Sequence, residues 1–171
     1  EFVRASNLIV DLANNGDSAA QYVLSMYFRD PNALNIPEVG EMWLMRAAEN
    51  NNAKAQYDLG WRLAAGWKND TVEDIVEMIY WFERATFNGS EDAYANLATL
   101  YENEFRDVLA EMEVAANNGN AMAQFNLGWI NARGLVSSEG LMQDMDVAKA
   151  WFKKSAKLGF KDAIEVLEKN F

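Results

Sequence analysis

The chain has 171 residues, half of them apolar, enough for one domain with a sizeable core, and its formal charge of −11 argues against a nucleic-acid binder or a basic membrane-surface protein. It contains no cysteine and no histidine, which removes disulfides, thiolate chemistry, histidine triads, His–Cys zinc sites and the usual near-neutral proton shuttle. The charge is uneven: between Asp70 and Glu113 twelve carboxylates stand against two cations, a net −10, whereas Lys149, Lys153, Lys154, Lys157 and Lys161 gather in the last third.

One kind of residue punctuates the sequence. Gly16, Asn51, Gly89, Gly119 and Gly159 follow one another at steps of 35, 38, 30 and 40 residues, the period of a two-helix repeat. Counting from each joint residue as zero, small or apolar side chains at +4, +8 and often +12 form one stripe of an outgoing helix A. A large residue at −8 and a small pair at −4 and −3 form a returning helix B. Glycine, or asparagine as the next best residue, suits the left-handed end between B and A.

Taken in order, residues 1–15 read as a helix B without its partner, with Leu8 at −8 and Leu12–Ala13 at −4 and −3. Residues 16–50 form a unit with Ala20 and Leu24 in helix A, a loop at Pro31 and Pro37, then Trp43 and Ala47–Ala48 in helix B. Residues 51–88 repeat it with Ala55, Leu59 and Gly60, a loop at Asp70–Thr71, then Trp81 and Ala85–Thr86. Residues 89–118 are the shortest unit. They carry Ala93 and Leu97, leave almost no loop, and place Glu111 where the others have tryptophan, before Ala115–Ala116. Residues 119–158 carry Ala123, Leu127 and Gly128, a loop from Gly134 to Gly140, then Trp151 and Ser155–Ala156. Residues 159–171 close the chain as a helix A with Ala163 and Leu167, a C-terminal cap. The tryptophans at −8 are expected to fill the gaps between small pairs and to be structural.

These letters resemble the Sel-one-like repeat (SLR) family, a subclass of tetratricopeptide-like α-solenoids, whose unit runs approximately A-x-x-x-L-G-x-x-Y, a loop with an acidic residue, then A-x-x-W-x-x-x-A-A-x-x-G. The fourth unit matches at Ala123, Leu127, Gly128, Gly134, Asp144, Ala148, Trp151, Ala156 and Gly159, and the second at Ala55, Leu59, Gly60, Gly66, Trp81, Ala85 and Gly89. Ser25 and Ala98 replace the helix-A glycine in units one and three, and Leu63 and Asn131 stand where the family has tyrosine. The resemblance implies an all-α, right-handed α–α superhelix of about four repeats with terminal half-repeats, spanning 1–171 as one domain.

It also implies that helix A lines the concave wall, with +6 and +10 pointing into the groove. Those positions hold Tyr22 and Met26, Tyr57 and Trp61, Ala95 and Thr99, then Phe125 and Trp129, with Asp92, Glu102, Arg29 and Arg133 beside them. Exposed tryptophan and tyrosine are frequent binding hot spots, which makes Tyr22, Met26, Tyr57, Trp61, Asp92, Thr99, Glu102, Phe125, Trp129 and Arg133 the candidate partner-binding set. The opposing reading is that the aromatics at +6 pack between units, as they do in the family.

Catalysis has little to work with. There is no G-x-x-x-x-G-K-[ST], G-x-G-x-x-G or G-x-S-x-G, and no cofactor or metal is expected. Carboxylates at Glu73, Asp74 and Glu77, or at Asp144 and Asp146, leave a carboxylate-dependent hydrolase or a weak calcium site as a distant third reading. The resemblance implies a non-enzymatic module that binds a protein or peptide, as adaptor or assembly factor in bacteria. The alternative is an immunity protein that neutralises a toxic effector, for which the acidic middle would suit a basic target. Nucleic acid and membrane insertion are not expected as partners. The chain opens on Glu1, which suggests a segment upstream and leaves the compartment open between bacterial cytoplasm and periplasm.

Overall fold

The computed structural model describes residues 2–66, 71–134 and 143–171, with the side chains of 2–6, 66 and 102–106 left aside. Expectations at Glu102, at the side of Asp70 in the second loop, and in the loop from 135 to 140 therefore lie outside what it describes. Nine α-helices and no strand are present among the described residues: α1 (Phe2–Asn14), α2 (Ser18–Arg29), α3 (Pro37–Glu49), α4 (Ala53–Gly66), α5 (Val72–Phe87), α6 (Glu91–Asn117), α7 (Ala121–Arg133), α8 (Met145–Lys157) and α9 (Lys161–Asn170). The most extensive contacts join α2 to α3, α4 to α5 and α7 to α8, which are the hairpins of units one, two and four in an all-α solenoid.

The joints behave as their composition dictates. Gly16, Asn51, Gly89, Gly119 and Gly159 all have positive φ, between 63° and 92°. The residue after each donates its N–H five positions back, as Asp17 does to the Leu12 carbonyl and Asn120 to that of Ala115, which satisfies the last carbonyls of helix B. That same residue then begins the next helix. Asp17, Asn52, Ser90 and Asn120 each accept the N–H of the alanine at +4, from Ala20, Ala55, Ala93 and Ala123. The last joint breaks the rule, because Phe160 has no capping oxygen.

A glutamine at +5 locks three of the outgoing helices to the helix before them. The Gln21, Gln56 and Gln124 amides donate to the carbonyls of Ala13, Ala48 and Ala116 at 2.8–2.9 Å, all three buried. The next joint's preceding asparagine completes the tie: Asn50 donates to Gln21 Oε1 and Asn88 to Gln56 Oε1, both at 2.9 Å. Position 158 is leucine, and Gln124 Oε1 is left buried without a partner.

Packing within each hairpin corrects one expectation. Trp43 and Trp81 are buried, but Trp151 is half-exposed, with Lys154 Nζ 3.7 Å from the ring centroid. The ring that enters helix A belongs to the following residue. A Cβ on Gly60 would lie 2.7 Å from Phe82, and one on Gly128 would lie 2.4 Å from Phe152, so glycine at +9 makes room for phenylalanine at −7. In unit one the pair becomes Ser25 and Leu44, and the glycine requirement is gone.

The third unit is not a hairpin. Residues 91–117 form one helix, α6, with neither glycine nor proline inside it. Its buried side chains, Ala93, Leu97, Tyr101, Val108, Met112, Ala115 and Ala116, keep helical phase along the whole length. With 30 residues between joints, a turn would have to interrupt that stripe, and the continuous helix keeps it intact. No returning third helix B intervenes, and α5 packs directly on α7. The core therefore runs from Ile75, Val76 and Ile79 of α5, through α6, to Leu127 and Ile130 of α7.

Candidate functional site

The +6 aromatics tie neighbouring outgoing helices together. Tyr22 is half-buried and its hydroxyl donates to Asp58 Oδ2 at 3.1 Å; Arg29 stands 3.6 Å from the same oxygen. Burial, reinforced by the Asp58 charge, raises the Tyr22 pKa. Tyr57 packs on Phe82, with ring centroids 5.9 Å apart, and its oxygen accepts the Asn96 amide at 3.4 Å. Asp58 and Asn96 both lie at +7, one unit further on, so a hydroxyl at +6 meets a polar group at the next +7. The pair becomes Phe125 and Val166 at the far end, and apolar contact replaces the hydrogen bond. Phe125 is 2 % exposed, wrapped by Tyr80, Trp129, Phe152 and Phe160, and belongs to the core rather than to an open wall.

The +10 positions divide. Trp61 is 54 % exposed and Met26 44 %. Asp92 and Thr99 also face solvent, and the Thr99 hydroxyl donates to the Ala95 carbonyl at 2.9 Å. Trp129 is half-buried among Phe87, Phe125 and Phe152, at centroid distances of 5.5–6.2 Å, with the Arg133 guanidinium 5.2 Å from its ring centroid. The two tryptophans thus have different surroundings, one open and one largely enclosed.

Arg133 is committed internally. It forms an ion pair with Glu83 Oε2, without hydrogen-bond alignment, while Tyr101 donates to Glu83 Oε1 at 3.4 Å. Glu83 is fully buried, and desolvation raises its pKa to about 7 against the opposing pull of Arg133 and Tyr101. The Tyr101 hydroxyl is pushed well above its usual value by the same burial and by the neighbouring carboxylate. Beside this network Arg84 pairs with Asp162 of α9 at 2.6 Å and donates to Asn51 Oδ1 at 2.5 Å, while the Tyr80 hydroxyl donates to Asp162 at 2.9 Å. Burial is the main reason the Tyr80 pKa is raised to about 12. These contacts bring the second unit against the final helix, across a cavity of about 280 Å³ whose walls include Phe87, Trp129, Asp162 and Glu165.

The sequence reading missed Glu83, Arg84, Phe87 and Asp162. Glu83 did carry a signal: it is the single carboxylate in the largely apolar run from Met78 to Ala85. It is also a member of the acidic stretch from Asp70 to Glu113 that contributes nothing to the exposed charge. Glu77 accepts the Trp81 indole N–H at 3.1 Å, and Asp74 caps α5 with Thr71, which lowers the Asp74 pKa. Asp144 likewise caps α8 through the Asp146 and Val147 amides.

The Sel1 repeat family model matches residues 53–88 and 121–160. Those two stretches are similar to the Sel1 repeat. The matched stretches are the two Sel1 units that seat a phenylalanine on a helix-A glycine, Phe82 on Gly60 and Phe152 on Gly128. Sel1 repeats generally serve as protein-interaction modules. The chain is similar to the crystal structure of a Sel1 repeat protein from Oxalobacter formigenes, at 26% identity and a TM-score of 0.42, over 96% of this chain and 98% of that one. It is also similar to c5321, a protective antigen present in uropathogenic Escherichia coli strains and displaying an SLR fold, at 26% identity and a TM-score of 0.47, over 95% of this chain and 35% of that one. No curated protein matches it. No described helix is long and apolar enough to cross a membrane.

Proposed function

We propose that the chain is a non-enzymatic scaffold that grips a protein partner along the open part of its outgoing helices, with Trp61 as the anchor. The observation that supports this is the exposure of Trp61, 54 %, on a helix whose other aromatic at a wall position, Tyr57, is engaged in packing. A large ring left in water is spare contact area of the kind that dominates interface energies. Met26, Asp92 and Thr99 share its accessibility and complete the contact set. Phe125 and Arg133 support that wall from behind, and Tyr22 and Tyr57 hold neighbouring helices at fixed spacing.

The partner is basic on its contacting face. Exposed carboxylates at Glu73, Glu91, Asp92, Asp107 and Glu113 give the middle of the chain its negative potential, which would steer a cationic surface. The same charge favours a second reading, in which the partner is a basic toxic effector and the chain its inhibitor.

Affinity capture from the source cell with wild type and with Trp61→Ala, followed by calorimetry on the recovered protein, tests the anchor. The substituted protein should keep its helicity and lose at least about 2 kcal/mol of binding, roughly thirtyfold in Kd. A partner that binds both proteins equally removes Trp61 from the interface. An association rate unmoved between low and high salt removes the acidic face.

A further inference from the structure

We infer that Asn118, and with it Asn15, is a site of spontaneous deamidation, whereas Asn88 is shielded from the same chemistry by the glutamine of the preceding unit. The chain has an Asn–Gly dipeptide at three of its joints: Asn15–Gly16, Asn88–Gly89 and Asn118–Gly119. In the reaction the glycine amide nitrogen attacks the asparagine side-chain carbonyl carbon. A new C–N bond closes a succinimide, ammonia leaves, and water then opens the ring at either carbonyl to give aspartate or isoaspartate. One water enters and one ammonia departs, with no change of oxidation state. Glycine favours the step because no side chain hinders its nitrogen.

The three joints are a natural comparison, because their backbones match. Gly16, Gly89 and Gly119 have φ of 92°, 92° and 88°, and each donates its N–H three residues back at 3.0–3.1 Å. Asn88 and Asn118 have φ, ψ of −88°, 13° and −79°, 5°. Whatever slowing the backbone imposes is therefore common to all. The side chains differ. Asn88 is half-buried and its amide donates to Gln56 Oε1 at 2.9 Å and to the Arg84 carbonyl at 3.0 Å, which fixes the carbonyl carbon away from attack. Asn15 and Asn118 are exposed, and no side-chain hydrogen bond holds either among the described residues.

The asymmetry follows from the architecture. The glutamine position that would serve Asn118 is occupied by Tyr94. Because α6 runs unbroken, Tyr94 also lies 24 residues away along one helix, about 36 Å, so no substitution there could reach it. Asn15 has no preceding helix A among the described residues. Conversion at Asn118 places a carboxylate at the C-terminal end of α6, where the helix dipole opposes it, and near Glu73 across the shallow cavity that both residues line. The joints between α1 and α2 and between α6 and α7 are the ones that age.

The test is peptide mapping of the full chain after incubation at mildly alkaline pH, scoring aspartate and isoaspartate at the three positions in folded protein and in urea. In the folded chain Asn15 and Asn118 should convert at least roughly tenfold faster than Asn88, the factor that one retained hydrogen bond of about 1.4 kcal/mol provides. In urea the three rates should converge. Equal rates in the folded chain would overturn the inference. So would an Asn88 that stays slow in urea, because flanking residues would then set the rate. Gln56→Ala supplies an independent check: if it folds, Asn88 should accelerate towards Asn118, and an unchanged rate counts against the shield.

Discussion

Leu158→Asn should stabilise the protein, although it replaces an apolar residue with a polar one. Gln124 is buried, its amide is spent on the Ala116 carbonyl, and its Oε1 has no donor. At the two equivalent sites that oxygen is served by Asn50 and Asn88 at 2.9 Å. The backbone at 158, φ −85° and ψ 3°, nearly coincides with that at Asn88, φ −88° and ψ 13°, so the introduced amide would start from the correct place. Satisfying a buried acceptor is worth about 1–3 kcal/mol. Leu158 is 54 % exposed, so its removal forfeits roughly 1 kcal/mol of apolar burial. The net is a gain of about 1 kcal/mol, which for a chain of this size raises Tm by about 2–4 °C. Calorimetric or circular-dichroism melts at one protein concentration measure it. The reverse change, Asn50→Leu, should lower Tm by at least as much. A lowered Tm for Leu158→Asn would refute the claim that the asparagine–glutamine tie stabilises the joints, and the matching backbone angles would then be coincidental.

Further consequences can be checked on the same purified chain. Gly128→Ala forces a Cβ to within 2.4 Å of the Phe152 ring and should cost about 1–3 kcal/mol in urea unfolding, whereas Ala98→Gly, at the corresponding place in α6, removes no such clash and costs only helix propensity, about 1 kcal/mol. Glu83 has a folded pKa of about 7 against 4.5 as its reference, so the folded state binds the extra proton between those values. Stability from this group is complete below about 4.5 and is lost as pH rises through 7, by up to about 3 kcal/mol, and Glu83→Gln should flatten that part of the curve; an unchanged slope would mean Glu83 titrates normally. Trp129→Ala should destabilise by about 3 kcal/mol because it opens a space among three rings, while Trp61→Ala should change unfolding by less than about 1 kcal/mol; comparable losses would show that Trp61 is structural.

Repetition made the joints and most helices legible, because a left-handed helix end tolerates few residues and the sequence supplies one of them five times. It also concealed things. Reading the third unit by its period led to a hairpin. The phase of its apolar residues, unbroken from Ala93 to Ala116, already described one helix, and phase decides which face is buried whereas period only counts residues. The asparagine–glutamine tie was spelled out at +5 and −1 of successive units, but polar letters near a turn look like solvated caps until their burial is known. The pocket was less accessible to sequence reasoning. Arg84 meets Asp162 and Asn51 across 78 and 33 residues of chain, and the longer contact goes with an α6 that continues without a turn and leaves α7 packed on α5. Each pairing has a local cause, yet their sum depends on an irregular unit elsewhere. In a molecule made of repeats, the units that match the pattern set the wall, and the unit that departs from it decides which parts of that wall are closed by the chain itself, while others, like Trp61, stay open to solvent.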